Sequence, residues 1–358
     1  MTRPAHHLPD GRFRNPWPEA AGDDAIRSRF WRVAWTWLTS RLPPDPAPGQ
    51  LPVGTPRIGH PVIEGEGVRV TWVGHTTFLV QLPGLNVLTD PVWSERASPV
   101  TFTGARRFVP PLPALDELPP IHAVLLSHDH FDHLDRATVR ALHRRHGDDL
   151  TWFTPLGYGG WFGRLGVRRV VELDWWQSAD APGGRFAFHA TPARHWTRRT
   201  PWGTNARLWG SWAIVPRPED PSPAHGGGPA GAARRGGPRV FFGGDSGYAG
   251  CFSEIGARLG PFDVSLIPIG AYEPRWFMAA SHVDPEEALQ IYRDIGGSGA
   301  FVPGHWGTFR LTFEDPLDPP RRTHEAWTAA GLPLADLHVL RHGDTVEIEV
   351  AGADDPNA

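Results

Sequence analysis

The 358-residue chain contains no lysine: all 35 of its basic residues are arginine. That excludes Schiff-base chemistry on a lysine and a phosphate-binding loop built around one. The absence is compositional, since alanine, glycine, proline and arginine are abundant and point to a GC-rich coding sequence. With 39 acidic residues the formal charge is -4, which argues against a general nucleic-acid binder. A single cysteine, Cys251, excludes an intrachain disulfide, a cysteine zinc finger and a CxxC redox pair. No run of apolar residues reaches the length of a membrane span. The first 18 residues lack the apolar stretch of a secretory signal, so a soluble, cytoplasmic protein is expected. What is present suffices for a sizeable core: 40% of residues are hydrophobic and 21% charged, a balance that excludes a mostly disordered chain.

The length leaves room for two or three domains or one large α/β domain. Residues 1–56 read as an N-terminal extension. Its first part is polar, proline-rich and extended. A helix over 23–42 follows, capped by Asp23 or Asp24. Trp31, Trp35 and Trp37 alternate there with Arg27, Arg29 and Arg32, a pattern that suits packing on the main body or contact with a membrane surface. Residues 43–56 form a stiff proline-rich linker. Residues 57–350 read as the main domain, interrupted at 217–238 by a Pro/Gly/Ala-rich stretch with little to bury, a disordered loop insertion.

Within the main domain, β-rich runs at 68–73, 77–82 and 86–89 predict a meander. Further strands are expected at 123–127, 150–154, 167–173, 185–190, 210–215, 239–242, 264–268, 301–303 and 337–350. Helices are expected at 136–146, near 158–165, at 253–259, from Pro285 to Ile295, and at 323–330. There is no internal repeat. Strands mixed with helices predict a layered α/β sandwich.

The informative segment is Ser127-His128-Asp129-His130-Phe131-Asp132-His133-Leu134-Asp135, directly after an apolar run. In extended chain, alternate residues share a face, so His128 and His130 can serve one ion together. Where the chain turns into the following helix, Asp132 and His133 can reach a second. Imidazoles and carboxylates without thiolate suit a catalytic Zn²⁺ site. Three more candidates stand at strand ends: His195 after 185–190, Asp245 after Val240-Phe241-Phe242-Gly243-Gly244, and His305 after Phe301-Val302-Pro303-Gly304. They complete two sets, His128, His130 and His195 on one side and Asp132, His133 and His305 on the other, with Asp245 bridging through its two oxygens. Asp90, in Thr89-Asp90-Pro91 after a strand, is a candidate to orient a ligand histidine.

The HxHxDH cluster with its later His, Asp and His resembles the metallo-β-lactamase superfamily. That resemblance implies an αββα sandwich with a dinuclear site at one edge. Within the superfamily the chain is similar to the N-acyl-phosphatidylethanolamine-hydrolysing phospholipase D family. The likeness is carried by Val73-Gly74-His75-Thr76-Thr77, Leu88-Thr89-Asp90-Pro91-Val92, Arg194-His195-Trp196, Phe242 to Tyr248, Ile269 to Met278, His282 to Ala288 and His305 to Phe309, which span about residues 57 to 320. The resemblance implies two Zn²⁺ or other divalent ions holding a bridging hydroxide, which attacks the phosphodiester of an N-acylated ethanolamine phospholipid and releases phosphatidate and N-acylethanolamine. Asp132 and Asp245 would serve that hydroxide. His282 would lie at the substrate phosphate, to stabilise charge or protonate the leaving oxygen. Tyr272, Arg275 and Trp276 would line the pocket. Partners implied are a phospholipid or other phosphodiester, peripheral membrane contact through 23–42, and a second copy in a homodimer. Two departures stand out: the 217–238 insertion, and Phe131 where the animal enzymes have Tyr. Alternatives are a hydrolase of another ester, a lactone or cyclic phosphate as in the L-ascorbate-phosphate lactonase group, and a metal-binding protein without turnover.

Overall fold

Three short runs of β-forming residues begin the main domain: β1 (Val68–Gly74), β2 (Thr77–Leu82) and β3 (Leu85–Thr89), an antiparallel meander. The structure is a computed structural model that describes residues 3–18, 32, 35, 36, 39, 42–58, 67–217 and 237–350. A two-stranded ribbon of β4 (Arg96–Ala97) and β5 (Ala105–Arg106) follows. Then β6 (Ala123–Leu125), β7 (Thr151–Pro155) and β8 (Val170–Leu173) extend the first sheet in parallel, with α1 (Arg136–His146) and α2 (Gly159–Gly163) in their crossovers.

A second sheet is built from β9 (Ser178–Asp180), β10 (Phe186–Thr191), β11 (Ser211–Pro216), β12 (Val240–Phe242), β13 (Phe262–Pro268) and β14 (Gly297–Gly304), in the spatial order β14-β13-β12-β11-β10-β9. Between its later strands run α3 (Cys251–Leu259), α4 (Arg275–Met278) and α5 (Pro285–Asp294). The chain ends with α6 (Asp318–Ala329) and β15 (Thr345–Ile348), which returns to pair with β1 and completes a seven-stranded sheet, β15-β1-β2-β3-β6-β7-β8.

Period-two alternation sorts the first sheet into two faces. Trp72, Phe78, Val80, Val87, Leu125 and Phe153 point inward, in one cluster with Phe186, Phe188, Trp212 and Ile214 of the second sheet. Leu79, Leu88, Val124 and Trp152 point outward, where Val139 and Leu142 of α1 and Phe162 of α2 cover them. On the far side α5 packs on β13 and β14, flanked by α3 and α6. Trp327 of α6 reaches both Tyr292 and Phe301, with ring centroids 5.1 and 5.4 Å away. The result is the expected αββα order of layers. Each phenylalanine buried between the sheets contributes roughly 1.5–3 kcal/mol.

The last helix starts at Asp318 rather than 323, because Pro319 and Pro320 occupy its first turn, where a missing N–H breaks no hydrogen bond. Of the strand expected over 337–350, only Thr345–Ile348 forms a ladder; Leu337 and His342 make isolated bridges to Phe301 and Val53. The short strands β4, β5 and β9 and the four-residue α4 carry too few residues for a periodic signal.

The N-terminal extension is more closely docked than its composition suggests. Phe13 is buried against Trp175, Trp209 and Leu208, and His6 and His7 bond the two oxygens of Asp174 at 2.7 and 2.8 Å. The proline-rich linker runs along the body: Leu51 is buried, and Arg310 bonds Asp45 and the Pro44 carbonyl. Of the helix expected over 23–42, residues 32, 35, 36 and 39 are described and are helical, and Leu42 is described and is not; the others lie outside the described residues, as do 218–236 of the expected insertion. No helix among the described residues is long and apolar enough to cross a membrane.

Candidate metal centre

The seven expected ligands and Asp90 sit in loops that leave the C-terminal ends of strands, and His282 follows the short helix α4. Trp212 of β11 donates its indole N–H to the carbonyl of Leu126 at 2.8 Å and so anchors the chain just before Ser127. The segment from Ser127 is extended and then turns. His128 and His130 point into the cluster, whereas Asp129 points away to an ion pair with Arg207 at 2.6 Å. Asp135 ends the loop as the N-cap of α1, accepting from Ala137 N and Thr138 Oγ1. Gly244 has φ 58, and a Cβ there would lie 2.5 Å from Ser127 Cβ, so glycine is needed for the Asp245 loop to pass. His75, Asp90, Ala271 and His305 adopt left-handed backbone without being glycine, a cost of about 1–3 kcal/mol each that concentrates around this one site.

The structure brings all seven expected ligands together. His130 Nδ1 lies 2.8 Å from His128 Nε2 and 3.2 Å from His195 Nε2. Asp245 Oδ2 is 3.8 and 3.9 Å from those two Nε2 atoms. In the other set, His133 Nε2 is 3.4 Å from Asp132 Oδ2 and 3.0 Å from Asp245 Oδ2, and His305 Nε2 is 3.2 Å from Asp245 Oδ1. Asp245 thus stands between both sets. The buried Nε2 atoms of His133 and His305 and the buried Oδ1 of Asp245 have no hydrogen-bond partner among the described residues. Leaving each of these unsatisfied would cost roughly 1–3 kcal/mol. Converging imidazole nitrogens and carboxylate oxygens are what a divalent cation satisfies, so the donor set fits Zn²⁺ or a similar ion.

Asp90 sits where the sequence places it, behind the ligands. Its Oδ2 accepts from His133 Nδ1 at 2.7 Å and from Ser127 Oγ at 2.5 Å, and its Oδ1 accepts from Ser127 N at 2.7 Å. Ser127 Oγ in turn accepts from His128 Nδ1 at 2.9 Å. One buried carboxylate therefore turns the Nε2 lone pair of a histidine in each set toward the centre. His195 is turned likewise, by donating from Nδ1 to the Ser281 carbonyl at 2.9 Å.

Burial pushes His128 and His195 well below the usual imidazole range, which keeps their lone pairs free. Burial alone would raise Asp132 and Asp245, but the surrounding imidazoles, His133 first, hold both well below the usual carboxylate range. His133 is raised against its burial by Asp245 and Asp132. A proton and a metal ion compete for such a lone pair.

His75 was missed as a site residue; in the sequence it is only one member of a motif between two strands. Its Nε2 lies 3.0 Å from Asp132 Oδ2, and its ring is 4.0 Å from that of His305. It joins Asp132, His133 and His305 as a fourth group within ligand reach of the second set. A histidine in the tight turn from β1 to β2, where a non-glycine must take left-handed backbone, was the available signal.

A cleft of about 730 Å³ opens on the cluster, reached by His130, Asp132, Asp245 and His282. His282 Nδ1 is 3.8 Å from Asp245 Oδ2. Phe131, Trp196, Phe277, Met278, Leu311 and Phe313 give apolar walls, with Arg198 and Arg199 on one side. Tyr272, Arg275 and Trp276, expected in the pocket, do not line it. The Tyr272 hydroxyl is bonded to Asp318 Oδ2 at 2.7 Å beneath Arg322. Arg275 is held by the His282 carbonyl at 2.8 Å and Glu287 at 2.7 Å, so it supports the His282 loop from behind. Trp276 lies under Arg32 of the N-terminal helix at 4.2 Å. The α4 turn sends Phe277 and Met278 to the cleft instead.

A model of the beta-lactamase superfamily domain matches residues 85–306. N-acyl-phosphatidylethanolamine-hydrolyzing phospholipase D 1 of Caenorhabditis elegans is 36% identical over 272 residues, 74% of this chain and 70% of the relative. An uncharacterized protein of Mycobacterium tuberculosis is 40% identical over 308 residues, 84% of this chain and 74% of that protein. Among solved structures, the metallo hydrolase Igni18 of Ignicoccus hospitalis shares the fold at TM-score 0.55 and 20% identity, covering 80% of this chain and all of its own. Isothiocyanate hydrolase from Delia radicum gut bacteria does so at TM-score 0.57 and 15% identity, over 78% of this chain and 98% of its own. The domain match and the relatives, joined to a buried His/Asp cluster at the sheet edge, mean that the chain is a metal-dependent hydrolase and belongs to the beta-lactamase superfamily and, within it, to the N-acyl-phosphatidylethanolamine-hydrolysing phospholipase D family.

Proposed function

We propose that the chain is a zinc phosphodiesterase that cleaves an N-acylated ethanolamine phospholipid into phosphatidate and N-acylethanolamine. The observation that carries this reading is the cleft: it is wide, its walls are largely apolar, and it leads directly onto the His/Asp cluster. A small, closed polar pocket would suit a lactone or cyclic phosphate; width and apolar walls favour acyl chains beside a phosphate.

His128, His130, His195 and Asp245 would hold one ion, and Asp132, His133, His305 and Asp245 the other. Bound there, two divalent ions supply Lewis acidity toward phosphate oxygens and water ionised at neutral pH. Asp132, held by His75, orients the attacking water from the cleft floor. Asp90 keeps His133 and His128 in one tautomer throughout. Burial, only partly offset by Asp245, holds His282 down to about 4, so it is neutral at neutral pH. Its role is then to donate a hydrogen bond to a phosphate oxygen, not to deliver a proton. The apolar walls position the lipid and limit water to the attacking molecule.

The test is turnover by the zinc-loaded protein, with products identified by mass spectrometry. N-acylphosphatidylethanolamine should yield N-acylethanolamine and phosphatidate. Rapid hydrolysis of a lactone or cyclic phosphate, with every phospholipid untouched, would refute the proposal.

A further inference from the structure

Beside the cleft lies a second cavity, of about 620 Å³, whose walls carry six arginines: Arg96, Arg136, Arg140, Arg164, Arg199 and Arg207. The two cavities share Pro99, Phe131, Arg199 and Thr200. Arg199 lies 4.4 Å over the Phe131 ring, and the pair forms the partition between them.

The acidic groups at this cavity are already engaged. Asp135 accepts from Ser94 N, Ala137 N and Thr138 Oγ1 as the cap of α1, and Glu95 is paired with Arg106. Asp129 neutralises Arg207. Arg136, Arg140 and Arg164 are exposed and make no hydrogen bond or ion pair among the described residues. Like charges converging on one concavity repel, and water screens them only in part. An anion relieves that repulsion, and the planar guanidinium fork matches phosphate oxygens two at a time.

The rim points to the source of the phosphate. Val100, in the cavity wall, is exposed, and so are Phe102 at 81% and Trp202 at 83%, the latter two residues beyond Thr200 of the shared wall. Bulky apolar side chains held in solvent around a basic cavity suit the headgroup boundary of a bilayer, not a free ion in water. We infer that this arginine cavity is a second phosphate-binding site, separate from the metal centre, and that it takes the phosphate of an anionic phospholipid headgroup beside the catalytic cleft. Its surface, at 96–102 and 199–202, draws on none of residues 23–42.

Binding, not turnover, tests it, so the result is independent of the reaction assigned above. The metal-loaded full chain is sedimented with vesicles of phosphatidylcholine, with or without a minority of phosphatidic acid. The wild type should favour the acidic vesicles. The triple variant Arg136→Ala, Arg140→Ala and Arg164→Ala, which removes exposed side chains with no partner among the described residues, should lose at least about tenfold in that affinity. A control removing the same charge elsewhere, Arg144→Ala, Arg168→Ala and Arg185→Ala, all exposed, should lose little. Metal content and circular dichroism should match across the three proteins. Equal losses in both variants would overturn the site, since bulk charge alone would then explain binding. Calorimetric binding of inorganic phosphate by the wild type and not by the first variant, without vesicle preference, would overturn the headgroup assignment.

Discussion

Asp245 Oδ2 lies within 4 Å of His128 and His195 in one set and of His133 in the other, and its Oδ1 faces His305, so its charge, more than its shape, is what the cluster uses. Asp245→Asn preserves volume and removes that charge. Turnover of the zinc-loaded variant should fall by about 10²-fold or more, with little change in unfolding midpoint. Near-normal activity at full metal occupancy would show that the bridge is dispensable. Asp90 acts one layer out, through His133 and Ser127. Asp90→Ala should weaken metal retention by about 10–100-fold in a chelator competition while the ligands themselves remain. Unchanged retention would mean that packing alone orients the histidines. At this scale the His128–His133 run could be found in the sequence because its members are neighbours in the chain. His75 lies outside that run, 57 residues from the Asp132 it bonds, and carried only the weaker signal of a histidine in a tight turn between two strands.

Among the elements, the short helix α4 and the loop behind it decide how His282 is presented. Arg275 holds the His282 carbonyl and Glu287 together from outside the cleft. Arg275→Met should lower kcat while metal stoichiometry stays unchanged, and Arg275→Lys should restore part of the loss; a variant indistinguishable from wild type would remove Arg275 from the support of that loop. The crossing of the loops after β13 and β14 is tighter still, since a Cβ on Gly270 would meet the His305 carbonyl oxygen at 2.0 Å. Backbone on backbone cannot give way cheaply. Gly270→Ala should cost about 1–3 kcal/mol in urea unfolding and displace His305 from the cluster. Unaltered stability would mean that the crossing is looser than it looks.

Across the whole molecule, several histidines are folded into sites where burial keeps them neutral. His342 is fully buried, bonded to Thr308 Oγ1 at 3.0 Å, and held down to about 4 by burial first and the nearby Arg107 second. In the unfolded chain the same group takes its proton near 6.5. Between those values the unfolded state binds more protons than the folded state. The stabilisation is therefore complete above pH 6.5 and is lost as pH falls toward 4, an effect on the order of 3 kcal/mol. Urea midpoints of metal-free protein should drop from pH 7.5 to pH 5, and His342→Gln should flatten part of that slope. An identical slope in the variant would assign the acid sensitivity to the cluster histidines alone.

Periodicity and local spacing by themselves determined the layered α/β order, most strands and helices of residues 67–350, and which histidines and aspartates stand at strand ends where the fold gathers them. These are short-range properties: alternation selects a strand face, and a four-ligand run after a strand already holds half of a metal site. Tertiary structure decided the rest. It folded the N-terminal arm and proline linker onto the body through Phe13, His6 and Leu51, where composition suggested loose chain. It turned Tyr272, Arg275 and Trp276 away from the cleft, because one short helical turn can present only one side to it. It also gathered arginines from the β4 ribbon, α1, the end of α2 and the loop around 199–207 into one cavity. No window of sequence holds that convergence, since it exists only once the loops at the ends of both sheets have closed on each other.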